Sequence, residues 1–354
     1  MSIDNQFLIK KVTQRDSFIA CFCTATRMPF LYCDPVSYAD QVWIFADEDG
    51  LKEFAGRFAA KKIPLQGALI RKNQFTGFFG SLLHIGVTEI VFTENGASVP
   101  IPIDQFVRFR DMSKVPEALR PLENPQLMLT GIYLMQEVVR KVPQEEKEDL
   151  KDLNEEFLVN LARSRFLIPV QVKEGPGTIP EKMQKGQFSF LNLTMKNGDI
   201  YRPIFGDNME FQKFRQQKQE IQAITMPFAG LKTAFPKDVK GYLLNPNGCQ
   251  IVIQMILIDQ VLKSFPDDVK QGAAEAVRLA QTLAGPRAGR KPAAVSLQGH
   301  SKVTKMPEKE SAESGSVEKE SAEGGSAEKE FAEDRSVKTG SSGKESAKKG
   351  SSEE

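Results

Sequence analysis

Val42 to Phe45 is an apolar run that stops short of an acidic residue, Asp47, and Leu51, Phe54 and Phe58 then recur at helical spacing. This order predicts a strand that hands over to a helix. Asp47 is the expected N-cap, because its carboxylate can accept from a first-turn N–H that has no partner inside the helix. The same plan returns without a gap at Tyr201 to Phe214. Ile204 and Phe205 stand for Ile44 and Phe45, Asp207 for Asp47, Phe211 for Leu51 and Phe214 for Phe54. Asp207 has Glu210 three residues on, the spacing of a reciprocal capping box.

Around these two corners the pattern predicts further elements. Residues 18 to 33 are aromatic and small apolar types interrupted by Pro29, which suits a short helix running into a strand or two short strands. Val87 to Thr93 is strand-like, Asn95-Gly96 is a hairpin turn pair, and Ser98 to Ile103 is the return strand. Pro100 and Pro102 lack N–H donors, so that strand belongs at a sheet edge. Asn124 and Pro125 open a helix as cap and first-turn residue, with Leu127, Leu134 and Val138 along it. Glu145 to Glu148 reads as a charged linker, and Leu150, Leu153, Phe157 and Leu161 as one helical stripe. Strands are predicted over Phe166 to Val172, Phe188 to Thr194 and Tyr201 to Phe205, the last entered through Asn197-Gly198. A polar loop spans Gly175 to Gly186, and Met226 to Phe228, Gly241 to Gly248 and Gln250 to Ile258 read as strand pieces joined by a tight turn. A last helix runs from Asp267 to Ala284 and stops at Gly285.

Two further blocks extend the repeat. Gly80 to His84 matches Gly241 to Asn245, in register to Ile90-Val91 against Ile251-Val252, and Ile103 to Gln105 matches Ile258 to Gln260. The expected fold class is α/β (α+β): two tandem related domains, each a small mixed sheet with packed helices, over residues 1–120 and 121–285. Residues 286–354 are a low-complexity tail with a ten-residue repeat opening at Glu308, Glu318 and Glu328. That composition buries too little apolar surface to offset ordering entropy, so the tail is expected to be disordered.

Charge changes the picture by what it removes. Lys and Arg number 47 against 46 Asp and Glu, and the tail carries equal numbers of each sign. Neither nucleic acid nor an anionic membrane is therefore expected as a partner. No apolar run approaches about 18 residues and no basic leader precedes one, which reads as a cytoplasmic protein. Cys21, Cys23, Cys33 and Cys249 are few and sit in apolar runs, as reduced buried thiols do.

No catalytic set accompanies His84, since His300 lies in the tail and no nucleophile or phosphate-loop motif is present. One folded-region His and scattered Cys also fall short of a metal ligand set. No catalytic residue, metal or cofactor is therefore expected. The candidate ligand-binding residues are Asn245, Asn247, Arg202 and Asp207. The turn Asn245-Pro246-Asn247-Gly248 offers amides beside a rigid corner. Arg202 must face solvent, a partner or an acid such as Asp199, and Asp207 is either a helix cap or an acid at a cleft.

In order, Phe166-Leu-Ile-Pro-Val170, Asn197-Gly198-Asp199, Tyr201-Arg-Pro-Ile-Phe205, Met226-Pro-Phe228 and Leu244-Asn-Pro246 make the second unit resemble the SseB N-terminal domain family of bacteria. Through the repeat the first unit resembles a diverged copy, with His84-Ile85-Gly86 in place of Asn245-Pro246-Asn247. The resemblance implies a small cytosolic α/β module without established catalytic residues. The function expected is non-catalytic binding or regulation, engaging a protein partner or a small polar ligand. The alternatives are an enzyme of amino-acid-related metabolism with its site between the domains, and an adaptor acting through its tail.

Overall fold

The computed structural model describes residues 6–108, 110–172, 188–215, 221–235 and 238–284. Its first half contains α1 (Gln6–Gln14), β1 (Ser17–Cys23), β2 (Leu31–Cys33), β3 (Asp40–Phe45), α2 (Glu48–Ala59), β4 (Leu65–Arg71), α3 (Phe75–His84), β5 (Glu89–Glu94) and β6 (Ala97–Pro102). Residues 18 to 33 thus resolve into two short strands. One sheet runs in the order β4-β1-β3-β5-β6, with β2 also on β3. The β3–β5 pair is parallel, and the proline-bearing return strand β6 lies at the edge. Asn95 and Gly96 take φ of 51° and 76° in the turn before it, as a type I′ turn requires.

The second half contains α4 (Pro125–Val138), α5 (Leu150–Arg163), β7 (Arg165–Val172), β8 (Phe188–Phe190), β9 (Leu193–Thr194), β10 (Ile200–Ile204), α6 (Asn208–Arg215), β11 (Ile221–Pro227), α7 (Phe228–Thr233), β12 (Gly241–Leu244), β13 (Ile251–Ile253), α8 (Met255–Ser264) and α9 (Pro266–Ala284). Phe188 to Thr194 is two strands rather than one, because β8 pairs with β7 while β9 pairs with β10. Met255 to Ile258 opens a helix instead of ending a strand. The expected polar loop 175–186 and the tail lie outside the described residues.

The halves share one topology. Leu167 and Phe205 exchange two main-chain hydrogen bonds of 2.9 Å, which joins β7 to β10 where Ile19 pairs with Phe45 in the first half. The second order is then β11-β7-β10-β12-β13, with β10–β12 parallel. The strand-to-helix corners coincide as the sequence predicts.

The other two matching blocks do not. Gly80 to His84 lies in α3 whereas Gly241 to Leu244 is β12, so the shared Leu-Leu pair sits on a helix in one copy and a strand in the other. Ile90 pairs with Val42 and Tyr242 with Arg202, which makes Tyr242, not Ile251, the counterpart of Ile90. Likewise Ile103 begins a 3-10 turn and Met255 begins α8, placing Ile258 about one turn past the true equivalent.

Each corner helix covers a small local core. Phe54 of α2 packs there with Cys21, Cys23, Phe30 and Phe45. Leu122, Leu167, Phe205, Phe211, Phe214 and Ile221 form its counterpart beside α6. The opposite sheet faces join one large core, in which Phe18, Ile44 and Ile90 belong to the same cluster as their counterparts Phe166, Ile204 and Tyr242. Helix α4 is central to that core, with Leu127, Met128, Leu129, Ile132 and Leu134 all buried.

Polar ties reinforce the seam. Gln136 of α4 accepts from Leu31 N at 2.9 Å and donates to Leu31 O at 3.0 Å, so a side-chain amide satisfies β2 as a strand neighbour would. Tyr133 donates to Asp40 at 3.0 Å. Within the second half, the expected charged linker folds back on the end of α4: Lys147 Nζ donates to the carbonyls of Glu137, Val138 and Arg140 at 2.8, 2.8 and 3.1 Å. Those groups are left over at a helix C-terminus, where a cation is favoured. Among the described residues no helix is long and apolar enough to cross a membrane.

Candidate functional site

The corner at Asp207 is where polar groups from both halves meet. Asp207 ends the β10 segment, and its Oδ1 accepts from Glu210 N at 2.8 Å, the expected helix cap. The reciprocal half of the box is not made. Glu210 turns its Oε1 to Lys213 Nζ at 2.6 Å, and its Oε2 is buried without a hydrogen-bond partner among the described residues. Gly248 borders that oxygen closely, since a Cβ there would stand 3.0 Å from Oε2.

From the first half comes His84, at the end of α3. Its Nδ1 lies 3.2 Å from Glu123 Oε1 in the segment leading to α4. The neighbouring Glu123 carboxylate raises the His84 pKa against the opposing effect of burial, and the charge of Asp207 adds to the rise. Asp207 is 3% exposed, and burial raises its pKa above the ordinary carboxylate value, with the Glu210 charge acting the same way. Cys249 in the adjoining turn is pushed up to about 12 by burial and the Glu210 charge. A thiol held that high is protonated near neutrality and is no nucleophile. Cys21, also raised to about 12, is equally inert.

Of the four candidate ligand-binding residues, three are inside the protein. Asn245 is 0% exposed with φ of 48°. Its Oδ1 accepts from Gly206 N at 2.9 Å and its Nδ2 faces Met128 Sδ at 3.0 Å. The first half shows why the amide is needed. There Ala46 N donates to Thr93 O, but at the equivalent point β12 has already turned, so the Asn245 side chain replaces a strand carbonyl.

Arg202 does not face solvent or Asp199. It is 7% exposed, stacks 4.3 Å over the Phe190 ring, and donates to Ala234 O at the end of α7 at 3.2 Å and to Asn192 Oδ1 at 3.4 Å. Among the described residues no carboxylate pairs with it, and burial lowers its pKa. The guanidinium thus ties β10 to the α7 C-terminus and to β8, an aromatic and carbonyl environment that suits Arg. Its counterpart in the first half is Val42, which is fully buried. Asn247 alone of the four is exposed; it sits on the turn that carries Gly248 over Glu210.

The structure therefore brings Asp207 and Asn245 together, adds His84, Glu123 and Glu210, and keeps Arg202 elsewhere. Glu123 could not be placed here from the chain because His84 lies far from it in sequence; the spacing of Glu210 pointed to a reciprocal cap, and its closeness to Gly248 is set by the tertiary fold. Asn124 is similarly redirected. Rather than capping α4, its Nδ2 donates to Arg165 O at 2.8 Å and Gly206 O at 2.6 Å. Among the described residues no group of three or more His, Cys, Asp or Glu is placed to hold a metal ion.

No family model matches the chain, and no curated protein matches it. Among solved structures, Anabaena Tic22, described as protein transport, is similar at 9% identity over 76% of this chain and 95% of that one, with a TM-score of 0.16. A likeness at that score carries no argument about fold or activity.

Proposed function

We propose that the chain is a non-catalytic binding or regulatory protein of the SseB type, engaging a protein partner or a small polar ligand. The observation that supports this most is the use made of its polar candidates. Asp47 and Asp207 cap helices, Asn245 completes the end of the β10–β12 ladder, Arg202 holds a helix end, and two buried thiols are protonated near neutrality. The exposed turn at Asn247 remains as the polar contact surface.

The test immobilises the full chain and identifies bound proteins and metabolites by mass spectrometry, beside an Asn247→Arg variant. The reading expects a bound species that is recovered unaltered and lost from the variant. Recovery of nothing above background, or release of a chemically converted species, would overturn it.

One observation favours the alternative of an amino-acid-related enzyme between the halves: His84 of the first half lies 3.2 Å from Glu123 of the second and within electrostatic reach of Asp207. It ranks second because both corner carboxylates are almost wholly buried, which leaves a substrate little access. The tail-adaptor alternative concerns residues outside those described.

A further inference from the structure

The two copies differ at the outer edge of β4. Thr24 N donates to Pro64 O at 3.0 Å and Lys72 N to Asp16 O at 2.8 Å, and the ladder between them pairs Ala20 with Ala68. Hydrogen-bonded and non-bonded pairs alternate along an antiparallel ladder. Residues Gln66, Ala68 and Ile70 therefore turn their N–H and C=O groups toward β1, and Leu65, Gly67, Leu69 and Arg71 turn theirs outward. The Arg71 N–H is taken by Gln74 Oε1 at 2.9 Å. No described strand pairs with the remaining outward groups.

Register shows that this edge is built differently from its counterpart. Leu69 pairs with Ile19 and Thr225 with Leu167, so Leu69 and Thr225 occupy equivalent places. Leu69 is an exposed leucine, at 57%, where the second half carries a threonine. β11 packs against α9 and exposes only Thr225, whereas β4 exposes Gln66, Gly67, Leu69 and Arg71. Between Leu65 and Ile70 there is no charge and no proline, the devices that ordinarily keep an edge strand from pairing.

We infer that β4 is a dimerisation edge on which a second copy of this chain pairs its own β4, antiparallel, about a two-fold axis at Ala68. The edge is self-complementary for that occupant. An axis at Ala68 sets outward-facing Gly67 opposite outward-facing Leu69 of the second copy, and the reverse, giving four main-chain hydrogen bonds. Leu51 overhangs the glycine, its Cδ2 lying 2.6 Å from where a Gly67 Cβ would stand, and offers the incoming Leu69 side chain an apolar neighbour. The net charge of +1 creates no long-range repulsion between copies.

Light scattering of the full chain over a concentration series tests this, beside Leu69→Lys and Leu69→Pro. The proline removes an outward N–H and no bond within the sheet. The native chain is expected to rise with concentration toward twice 39.4 kDa, and both variants to stay at one chain mass while still melting cooperatively, without the rise in melting temperature with concentration that dimerisation gives the parent. Ala68→Cys in a Cys33→Ser background is expected to form an intermolecular disulfide on mild oxidation. In a non-hydrogen-bonded antiparallel pair the two Cα atoms stand about 4.5 Å apart, within disulfide reach. If a Leu69 variant unfolds, that cross-link decides the matter. A native chain that stays monomeric, a dimer that survives in both folded variants, or an absent cross-link would overturn the inference. Recruitment of a different protein's strand by a monomeric chain would do so too.

Discussion

Replacing Asn245 separates a ligand-binding amide from a framework one. Asn245→Ala deletes the acceptor for Gly206 N, a group at a buried position, and an unsatisfied buried N–H costs about 1–3 kcal/mol. It also places alanine at a φ of 48°, where a Cβ without a local polar contact adds about 1 kcal/mol. The sum is about 2–4 kcal/mol, a large share of the stability of an ordinary domain. Urea unfolding followed by circular dichroism would show a lower midpoint at unchanged slope. Asn245→Gly should recover the backbone part and leave the hydrogen-bond part. Asn247→Ala, on the exposed tip of the same turn, should fall within about 0.5 kcal/mol of the parent. Equal, small effects at Asn245 and Asn247 would refute the reasoning, because the amide would then not be completing the end of the β10–β12 ladder.

Three other outcomes follow from the same packing. His84 has a pKa raised in the fold, so its contribution is complete below its unfolded value near 6.5 and is lost as pH rises through the folded one. Asp207, also raised, acts with the same sign at lower pH. Urea midpoints measured against pH should therefore fall on passing from mildly acid to mildly alkaline buffer, and His84→Gln should flatten the upper step. Lys147→Met removes the charged donor to three carbonyls at the C-terminal end of α4 and just beyond it and should cost about 2 kcal/mol, read from the shift in urea midpoint. Gly272→Ala would be stabilising by about 1 kcal/mol on helix propensity alone. Because its Cβ would stand 2.5 Å from the Arg163 carbonyl oxygen, thermal denaturation should show destabilisation instead.

The corners were legible because three signals coincide there: an apolar run, an acid at the cap position, and phenylalanines at helical spacing. The Asn95-Gly96 hairpin was legible because its turn chemistry is local. β4 was not, since Leu65-Gln-Gly-Ala-Leu-Ile does not alternate, and its exposure is set by lying at an edge with α2 on one side. α3 was blurred by Gly77 and Gly80, and its Leu82-Leu83 pair imitated Leu243-Leu244 closely enough to pull the repeat out of register. At the candidate site, the capping role of Asp207 could be read from its neighbours, but the burial of Asn245 and Arg202 could not. Each is settled by a partner far along the chain, Gly206 for one and Ala234 with Phe190 for the other. Residue type argued for solvent in both cases, and tertiary satisfaction of the polar atoms overrode it.

Two α/β units of the same topology are fused through one core, with α4 shared between them. Differential scanning calorimetry of the full chain addresses it most directly, through the ratio of calorimetric to van't Hoff enthalpy. A single transition with a ratio near one is expected, and Gln136→Ala, which opens the Leu31 tie, should lower that one transition as a whole. Two separate transitions, with only one of them shifted by the substitution, would contradict the claim.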